Sequence, residues 1–221
     1  MVIKIIKIRL GVTCTYLLPT SKGEYVLVDA GEPGLADKFK QVAARRGIDL
    51  QSIRLIIITH AHYDHVGSLA EIKKWCDCPV LIHPLEDEIL QQAKIVIPPG
   101  ISILGKVLSY TGKLLGSYMR FPASKGDILV TDRCDLNSFG LDGEVVSTPG
   151  HTKGSLSVVL ASGDAVVGDL AMNFLGRNNF PIFGDSVEEL NQSRSLIRSK
   201  GIHTVYPAHG RPFPIEALWE N

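Results

Sequence analysis

Apolar residues follow two different spacings along this chain, and the two spacings alternate. Short runs that are apolar throughout, or apolar at every second position, predict strands. The predicted strands cover residues 2–10, 25–28, 55–58, 79–83, 128–130, 145–147, 155–160, 165–167 and 204–206. The turn Ser162-Gly163-Asp164 separates two of these runs and predicts a hairpin.

Helical spacing fills several of the intervals between the strands. Four apolar residues fall on one face of a helix that ends near Gly47, namely Leu35, Phe39, Val42 and Ala43. A second face follows Gly67, with apolar residues at 69, 72 and 76. Pro84 suits the first turn of a third helix. Ser186 and Glu189 have the spacing of a capping box, and Gly201 suits the end of that helix.

This order of elements favours an α/β fold. No repeat, low-complexity tract or linker interrupts the sequence, so we expect a single domain over residues 1–221. Many apolar strands and amphipathic helices fit two packed sheets with helices on their outer faces.

Composition narrows the classes of molecule that this chain could bind. The 221 residues are 45% hydrophobic and carry 23 basic and 23 acidic side chains. Because there is no net basic field, we expect neither a nucleic-acid nor a membrane partner for the chain as a whole, although local patches remain open. Lys4, Lys7 and Arg9 interrupt the apolar N-terminus, which argues against a signal peptide. Four scattered cysteines, Cys14, Cys76, Cys78 and Cys134, suit a reducing compartment, so we expect a cytoplasmic protein.

The chemistry is concentrated in the segment Thr59-His60-Ala61-His62-Tyr63-Asp64-His65, where four potential metal ligands fall within six residues. Side chains alternate in an extended segment, so His60 and His62 point the same way. Asp64 and His65 lie where the chain turns into a helix, so their side chains can face a second position close to the one that His60 and His62 face. Imidazole and carboxylate together suit zinc, iron or manganese.

Three further segments place a potential ligand beside Gly or Pro after an apolar strand. They supply His151, Asp169 and His209. Each residue alone is a weak signal, because a single histidine near glycine is more often structural. Together with the first segment they give seven donors, which is enough for two metal ions with positions left for water or substrate.

These residues, in this order, resemble the metallo-β-lactamase superfamily, and more closely its glyoxalase II-like and lactonase-like hydrolases. Asp29, in Leu27-Val28-Asp29-Ala30-Gly31, matches a further element of that family. The resemblance runs from Leu10 to His209 and implies a four-layer αββα sandwich with the metals at one sheet edge.

The resemblance also implies roles for these residues. His60, His62 and His151 would hold a first metal, and Asp64, His65 and His209 a second, with Asp169 bridging the two. The family's dizinc members use water or hydroxide between the ions to attack a carbonyl, so a thioesterase or lactonase with two Zn²⁺ ions is expected, with iron or manganese as alternatives. Asp29 would orient a ligand histidine, and Asp64, Asp169 and Asp29 are the expected catalytic carboxylates.

The resemblance leaves alternatives open. β-Lactamases of this fold lack the bridging aspartate, so hydrolysis of antibiotics is disfavoured. Persulfide dioxygenases, with a single iron, share much of the motif, and a phosphodiesterase of the same fold is a further alternative. The two remaining histidines, His83 and His203, are expected to be structural or solvent-facing.

The segment 101–121 is the most individual part of the chain. Its apolar residues follow a helical pattern and comprise Leu104, Val107, Leu108, Leu114, Leu115, Tyr118 and Met119. The segment could pack on the core, cover an acyl chain of a small-molecule substrate, or form a homodimer interface. With Phe174, Phe180 and Phe183 it predicts an apolar rim around the site and a preference for apolar acyl groups over nucleotides.

Overall fold

The first of two mixed sheets contains the N-terminal strands. In this computed structural model the described residues are 4–116, 119–173 and 179–219, without the side chains of Leu115 and Trp219. The sheet has the order β1-β2-β3-β4-β5-β6. Its strands are β1 (Ile6–Leu10), β2 (Thr13–Pro19), β3 (Tyr25–Val28), β4 (Ile53–Ile57), β5 (Val80–Ile82) and β6 (Ile128–Leu129). Strands β3 to β6 run parallel, so their carboxyl ends meet at one edge.

The second sheet has the order β12-β11-β10-β9-β8-β7. Its strands are β7 (Arg133–Asp135), β8 (Gly143–Ser147), β9 (Leu156–Leu160), β10 (Asp164–Asn173), β11 (Thr204–Gly210) and β12 (Phe213–Pro214). Neighbours pair antiparallel except β10 and β11, which are parallel. The predicted hairpin at Gly163 is confirmed, with φ +86° at this glycine and β9 paired to β10.

The helices join the strands and cover the sheets. They are α1 (Ala36–Arg45), α2 (Tyr63–Val66), α3 (Leu69–Cys76), α4 (Pro84–Gln91), α5 (Ile103–Leu115) and α6 (Val187–Ser199). The expected boundary residues occupy their predicted places. Pro84 lies in the first turn of α4, and the Ser186 hydroxyl accepts the Glu189 amide 3.2 Å away at the start of α6.

Three apolar clusters define the layers. Strand β3 illustrates the arrangement, because Val26 and Val28 face the space between the sheets while Leu27 faces α1 and α3. The third cluster joins the outer face of the second sheet to α6 through residues such as Leu190 and Ile197. The expected αββα sandwich is therefore confirmed.

The structure corrects the strand prediction at β2, β7 and β12, which the sequence pattern missed. Every residue of β2 from Thr13 to Leu18 is buried, so this strand shows no alternation of polar and apolar positions. Strand β7 is short and mostly exposed, and β12 has two residues. Among the described residues, no helix has the length and apolar character needed to cross a membrane.

Candidate metal centre

Seven histidine and aspartate side chains meet at one edge of the two sheets. His60 and His62 follow β4, and Asp64 and His65 lie in α2. His151 follows β8, while Asp169 and His209 lie in the paired strands β10 and β11. The five histidines of this cluster and Asp169 are each at most 5% exposed. The topology thus joins residues that are far apart in sequence.

The first group of donors contains three imidazoles. His62 Nδ1 lies 2.9 Å from His60 Nε2 and 3.0 Å from His151 Nε2. Burial lowers the pKa of His60 well below its usual value and that of His62 to about 3, so both rings are neutral at pH 7. A single imidazole N–H cannot satisfy both contacts of His62 Nδ1, whereas nitrogen atoms roughly 3.3 Å apart are what tetrahedral coordination of a metal at ~2.0 Å requires.

The second group contains Asp64, His65 and His209. Asp64 Oδ2 lies 3.3 Å from His209 Nε2 and 3.8 Å from His65 Nε2. Asp169 stands between the two groups. Its Oδ1 lies 3.5 Å from His65 Nε2 and 3.3 Å from His209 Nε2, and its Oδ2 lies 3.4 Å from His151 Nε2. Each carboxylate oxygen of Asp169 therefore faces a different group.

The donors fit divalent metal ions. His65 Nε2 and Asp169 Oδ1 are buried and lie 3.5 Å apart, and neither makes a well-formed hydrogen bond among the described residues. An orphaned buried polar atom is costly unless something binds it. Three sets of donors lie within 4.8 Å of one another, and they are His60/His62/His151, His60/His65/Asp169 and Asp64/His65/His209. Histidine and carboxylate ligands in groups of three suit zinc, iron or manganese.

Asp169 corrects one detail of the sequence analysis, which placed it at the end of a strand. It lies inside β10, next to shifts in the pairing with β11 at Val166/Gly168 and Gly168/Met172. Gly168 has φ +52°, and a Cβ there would lie 2.8 Å from Thr59 Cβ. The irregularity re-aims the Asp169 side chain, as β-bulges near active sites commonly do.

Asp29 contacts His65 of the second group and holds its ring in position. Its Oδ2 lies 2.9 Å from His65 Nδ1, and its Oδ1 accepts the Thr59 amide at 2.9 Å. The Thr59 hydroxyl donates to the same carboxylate at 2.9 Å. Asp29 has φ +61°, an uncommon conformation for a residue other than glycine, which these hydrogen bonds hold in place. The carboxylate fixes the ring of His65 so that Nε2 faces the cluster.

Replacing Asp29 by asparagine tests this bracing. Asparagine tolerates the left-handed backbone but loses the negative charge next to His65. We expect about a 10- to 100-fold loss of metal affinity at the second group, the usual size of effect for a partner of a ligand histidine. Metal titration by calorimetry measures it. An affinity equal to that of the wild type would contradict the bracing role.

Two residues near the cluster had no clear signal in the sequence. The Thr13 hydroxyl donates to Asp64 Oδ2 at 2.8 Å, and Thr13 lies in the missed strand β2. The buried Glu86 accepts the Ala61 amide at 2.8 Å, between the two histidines of the first segment. An acidic residue in the first turn of a helix usually serves the helix dipole, so sequence reasoning passed over Glu86.

The two groups differ in their protonation. Burial lowers the pKa of His209, but Asp169 and Asp64 outweigh this effect and raise the pKa to about 10. Burial likewise opposes a raised pKa at His65, and Asp29, Asp169 and Asp64 raise it well above its usual value. Protons on these two rings must leave before a metal binds, whereas His60 and His62 are already neutral.

Metal affinity of the second group should therefore depend on pH. Between about pH 8 and about pH 6, we expect the metal affinity of this group to fall as pH falls. The fall should be roughly tenfold per pH unit for each proton that the binding metal displaces. Affinity falls with falling pH because the raised pKa of His209 keeps its ring protonated, and protons compete with the metal more strongly as pH falls. The first group should lose much less affinity over the same range. Metal titrations at several pH values measure both affinities, and parallel losses would contradict the difference.

The other two histidines lie outside the cluster. The Nδ1 atom of His83 accepts the Leu85 amide at 3.1 Å and caps α4, which is a structural role. His203 is exposed just before β11.

A cavity of about 440 Å³ opens onto the cluster. Its walls outside the cluster are mainly apolar and include Val96, Ile97, Pro98, Leu108, Met119 and Phe183. Phe180 does not line it and instead packs its ring 4.8 Å from the Arg194 guanidinium carbon. Tyr118 and Phe174 lie outside the described residues. The cavity matches the usual composition of a small-molecule pocket, an apolar wall with few polar groups.

Comparison with known proteins gives consistent results. A family model described as the metallo-beta-lactamase superfamily matches residues 8–209. A probable metallo-hydrolase of Methanocaldococcus jannaschii is 28% identical over 200 residues, which cover 89% of this chain and 86% of that protein.

Two solved structures share the fold. The B3 metallo-beta-lactamase BLEG-1 superposes with a TM-score of 0.75 at 22% identity, covering 99% of this chain and 97% of the other. TTHA1623 in a di-iron-bound form superposes with a TM-score of 0.71 at 23% identity, covering 98% of each chain. At these identities the likeness concerns the fold alone.

Proposed function

The chain belongs to the metallo-beta-lactamase superfamily, and we propose that it is a metal-dependent hydrolase of thioesters or lactones with an apolar acyl part. The observation that carries this proposal is the seven-donor cluster at the floor of an apolar cavity. The metallo-hydrolase relative supports the reaction class. The cavity supports the substrate class.

We assign His60, His62 and His151 to a first ion, Asp64, His65 and His209 to a second, and Asp169 to both. Two bound ions would supply Lewis acidity that activates water and polarises a carbonyl. Zinc suits this donor set best, and iron or manganese suit it too, in keeping with the di-iron form of TTHA1623.

The carboxylates and their neighbours organise the reacting groups. Asp64 Oδ2 faces the Thr13 hydroxyl and His209, and it is placed to accept a proton from the attacking water. Burial raises the pKa of the Asp64 carboxyl, but His65 and His209 outweigh it and the net pKa is lowered, which keeps it ionised. Tyr63 lines the cavity, and burial raises the pKa of its phenol, so it remains a hydrogen-bond donor for substrate oxygen.

Apolar walls favour the acyl part of the substrate over charged groups. Leu108, Met119 and Phe183 all line the cavity. Each methylene buried there contributes up to ~0.8 kcal/mol. Ser109, which is 5% exposed, is one of few polar side chains in the wall. An uncharged acyl chain fits this lining, whereas a charged group held against the apolar wall, away from the metal cluster, would be desolvated without a partner.

A second cavity favours a different candidate, hydrolysis of phosphodiesters. It measures about 470 Å³ and is lined by Lys7, Arg9 and Arg211. Val12 lines both cavities. Among the described residues, no carboxylate lies within ion-pair distance of these three cations, so they could contact an anionic substrate that extends past Val12.

An activity screen with metal analysis on the same sample tests the proposal. Thioesters, lactones, a β-lactam and a phosphodiester are compared at equal metal loading. We expect kcat/KM to be highest for a thioester or lactone. Faster cleavage of the phosphodiester, together with its loss in Arg9→Gln, would overturn the acyl assignment in favour of the second candidate.

A further inference from the structure

Helix α5 presents an unusually apolar face to solvent. Eleven large hydrophobic residues are exposed among the described residues, and six of them belong to this one helix. They are Ile103 (86% exposed), Leu104, Val107, Leu108, Tyr110 and Leu114. Scattered exposed hydrophobic residues are normal, but a contiguous patch usually marks an interaction surface. Core packing therefore does not account for most of the apolar pattern of α5.

The opposite face of α5 is fixed to the protein by glycines. A Cβ on Gly105 would lie 1.9 Å from the Ile182 carbonyl oxygen, and one on Gly112 would lie 3.2 Å from Ile97 Cγ2. The Ser102 hydroxyl accepts the Gly105 amide at 3.0 Å and caps the helix. Because the small residues face inward, the large ones project outward. The apolar face is thus a consequence of how the helix docks.

The charged residues of the chain segment that contains this face have one sign. Between residues 89 and 126 there are five basic residues, Lys94, Lys106, Lys113, Arg120 and Lys125, and no acidic residue. The chain as a whole is neutral, with 23 residues of each sign. On α5 itself, Lys106 and Lys113 are exposed and lie one above the other along a single edge of the apolar stripe. An apolar stripe bordered by cations is the pattern of helices that lie in a membrane interface.

We propose that α5 docks on an anionic lipid surface, with its apolar stripe in the acyl boundary and its lysines at the head groups. A bilayer with anionic lipids offers both an apolar layer and negative charge, which attracts lysines close to its surface. A second copy of this chain fits the charge less well. Pairing two α5 helices would bring like charges together, with no acidic residue in 89–126 to balance them.

Docking there would place the mouth of the metal-site cavity at the membrane. Leu108, Ser109 and Gly112 of α5 line that cavity. An amphiphilic acyl ester or thioester could then enter from the bilayer without crossing water. This consequence for the substrate class rests on the proposed function, whereas the docking itself does not.

The experiment is co-sedimentation of the metal-loaded full chain with vesicles. Phosphatidylcholine vesicles are compared with vesicles in which one third of the lipid is phosphatidylglycerol. We expect binding to the anionic vesicles only, and weaker binding at high salt, which screens surface charge. Hydrolysis of a water-soluble short-chain substrate is measured in parallel, so that loss of docking and loss of the hydrolase assignment are distinguishable.

Matched variants locate the surface. Val107→Asp places a charge in the apolar stripe, at a residue that does not line the cavity. The control is Leu196→Asp, at an exposed apolar residue of α6. We expect Val107→Asp to weaken vesicle binding at least about tenfold while Leu196→Asp binds like the wild type. Lys106→Gln with Lys113→Gln should reduce both binding and its salt dependence.

Two results would overturn the proposal. One is equal vesicle binding by the wild type and Val107→Asp, or no binding by either. The other is a concentration-dependent dimer, seen by sedimentation, that Val107→Asp dissociates while vesicles bind neither protein. That second result would assign the face to a second copy. Circular dichroism and metal content of each variant exclude misfolding as the cause of a loss.

Discussion

His209→Ala and Asp64→Ala are each expected to lower kcat/KM by about a thousandfold or more. Both residues belong to the second group of donors, where Asp64 Oδ2 lies 3.3 Å from His209 Nε2. Counting Asp169, we assign four ligands to the second ion, and removing one of them weakens the binding of that ion and its position for catalysis. An ion that stabilises developing charge contributes several kcal/mol, and each ~1.4 kcal/mol is a factor of ten in rate.

Metal content and thermal unfolding accompany the rate measurement. We expect each variant to retain one ion per chain, because the imidazoles of His60, His62 and His151 remain within bonding reach of one point. The matched control is His203→Ala, which removes an exposed histidine just before the same strand as His209. Its rate should equal that of the wild type. Wild-type activity in His209→Ala would contradict the assignment of the second ion.

The sequence predicted which residues meet in the cluster better than it predicted the strands that carry them. The motif from His60 to His65 is local, and its spacing alone places its four donors near one another. The resemblance already offered Asp169 as a bridging ligand, but its orientation between His151 and His209 needed the three-dimensional structure, because the shifts in strand pairing beside it depend on the neighbouring strand β11. Sequence patterns report on the local backbone, and irregular pairing is decided between strands.

Contacts that brace the site were also hidden from sequence reasoning. Thr13 reaches Asp64 from β2, a strand buried on both faces that has no alternating pattern to reveal it. Glu86 reaches the Ala61 amide from α4, across 25 positions of sequence. In both cases the residue type is common in its local setting. Only the packing of distant elements brings each residue to its partner, Thr13 to Asp64 of the cluster and Glu86 to the amide of Ala61 beside it.

The segment around α5 shows why an amphipathic pattern alone is ambiguous. The sequence left core packing, a substrate cover and an interface open for residues 101–121. In the structure the two sides of this helix have different environments. Leu108 and Ser109 line the cavity, while Ile103 and Val107 face solvent. Glycines decide which side packs, and a hydrophobicity pattern does not weigh the close approach that glycine allows.

That division leads to a prediction about acyl length. In a series of thioesters that differ only in the acyl chain, kcat/KM should rise by up to about fourfold for each added methylene. The rise should stop when the cavity of about 440 Å³ is filled. Six methylenes would then give an increase of up to about four-thousandfold. Substrates are kept below the concentration at which they form micelles, and no lipid is present.

Leu108→Ala tests where that selectivity arises. Leu108 lines the cavity, so the variant should flatten the increase at long acyl chains and leave the shortest substrate almost unaffected. Ile103→Ala is the control, because Ile103 is on the same helix but faces away from the cavity at 86% exposure. A flat series in the wild type would mean that the acyl chain does not enter this cavity. An equal change in both variants would indicate a general effect on α5, since only one of the two side chains can contact a substrate bound at the cluster.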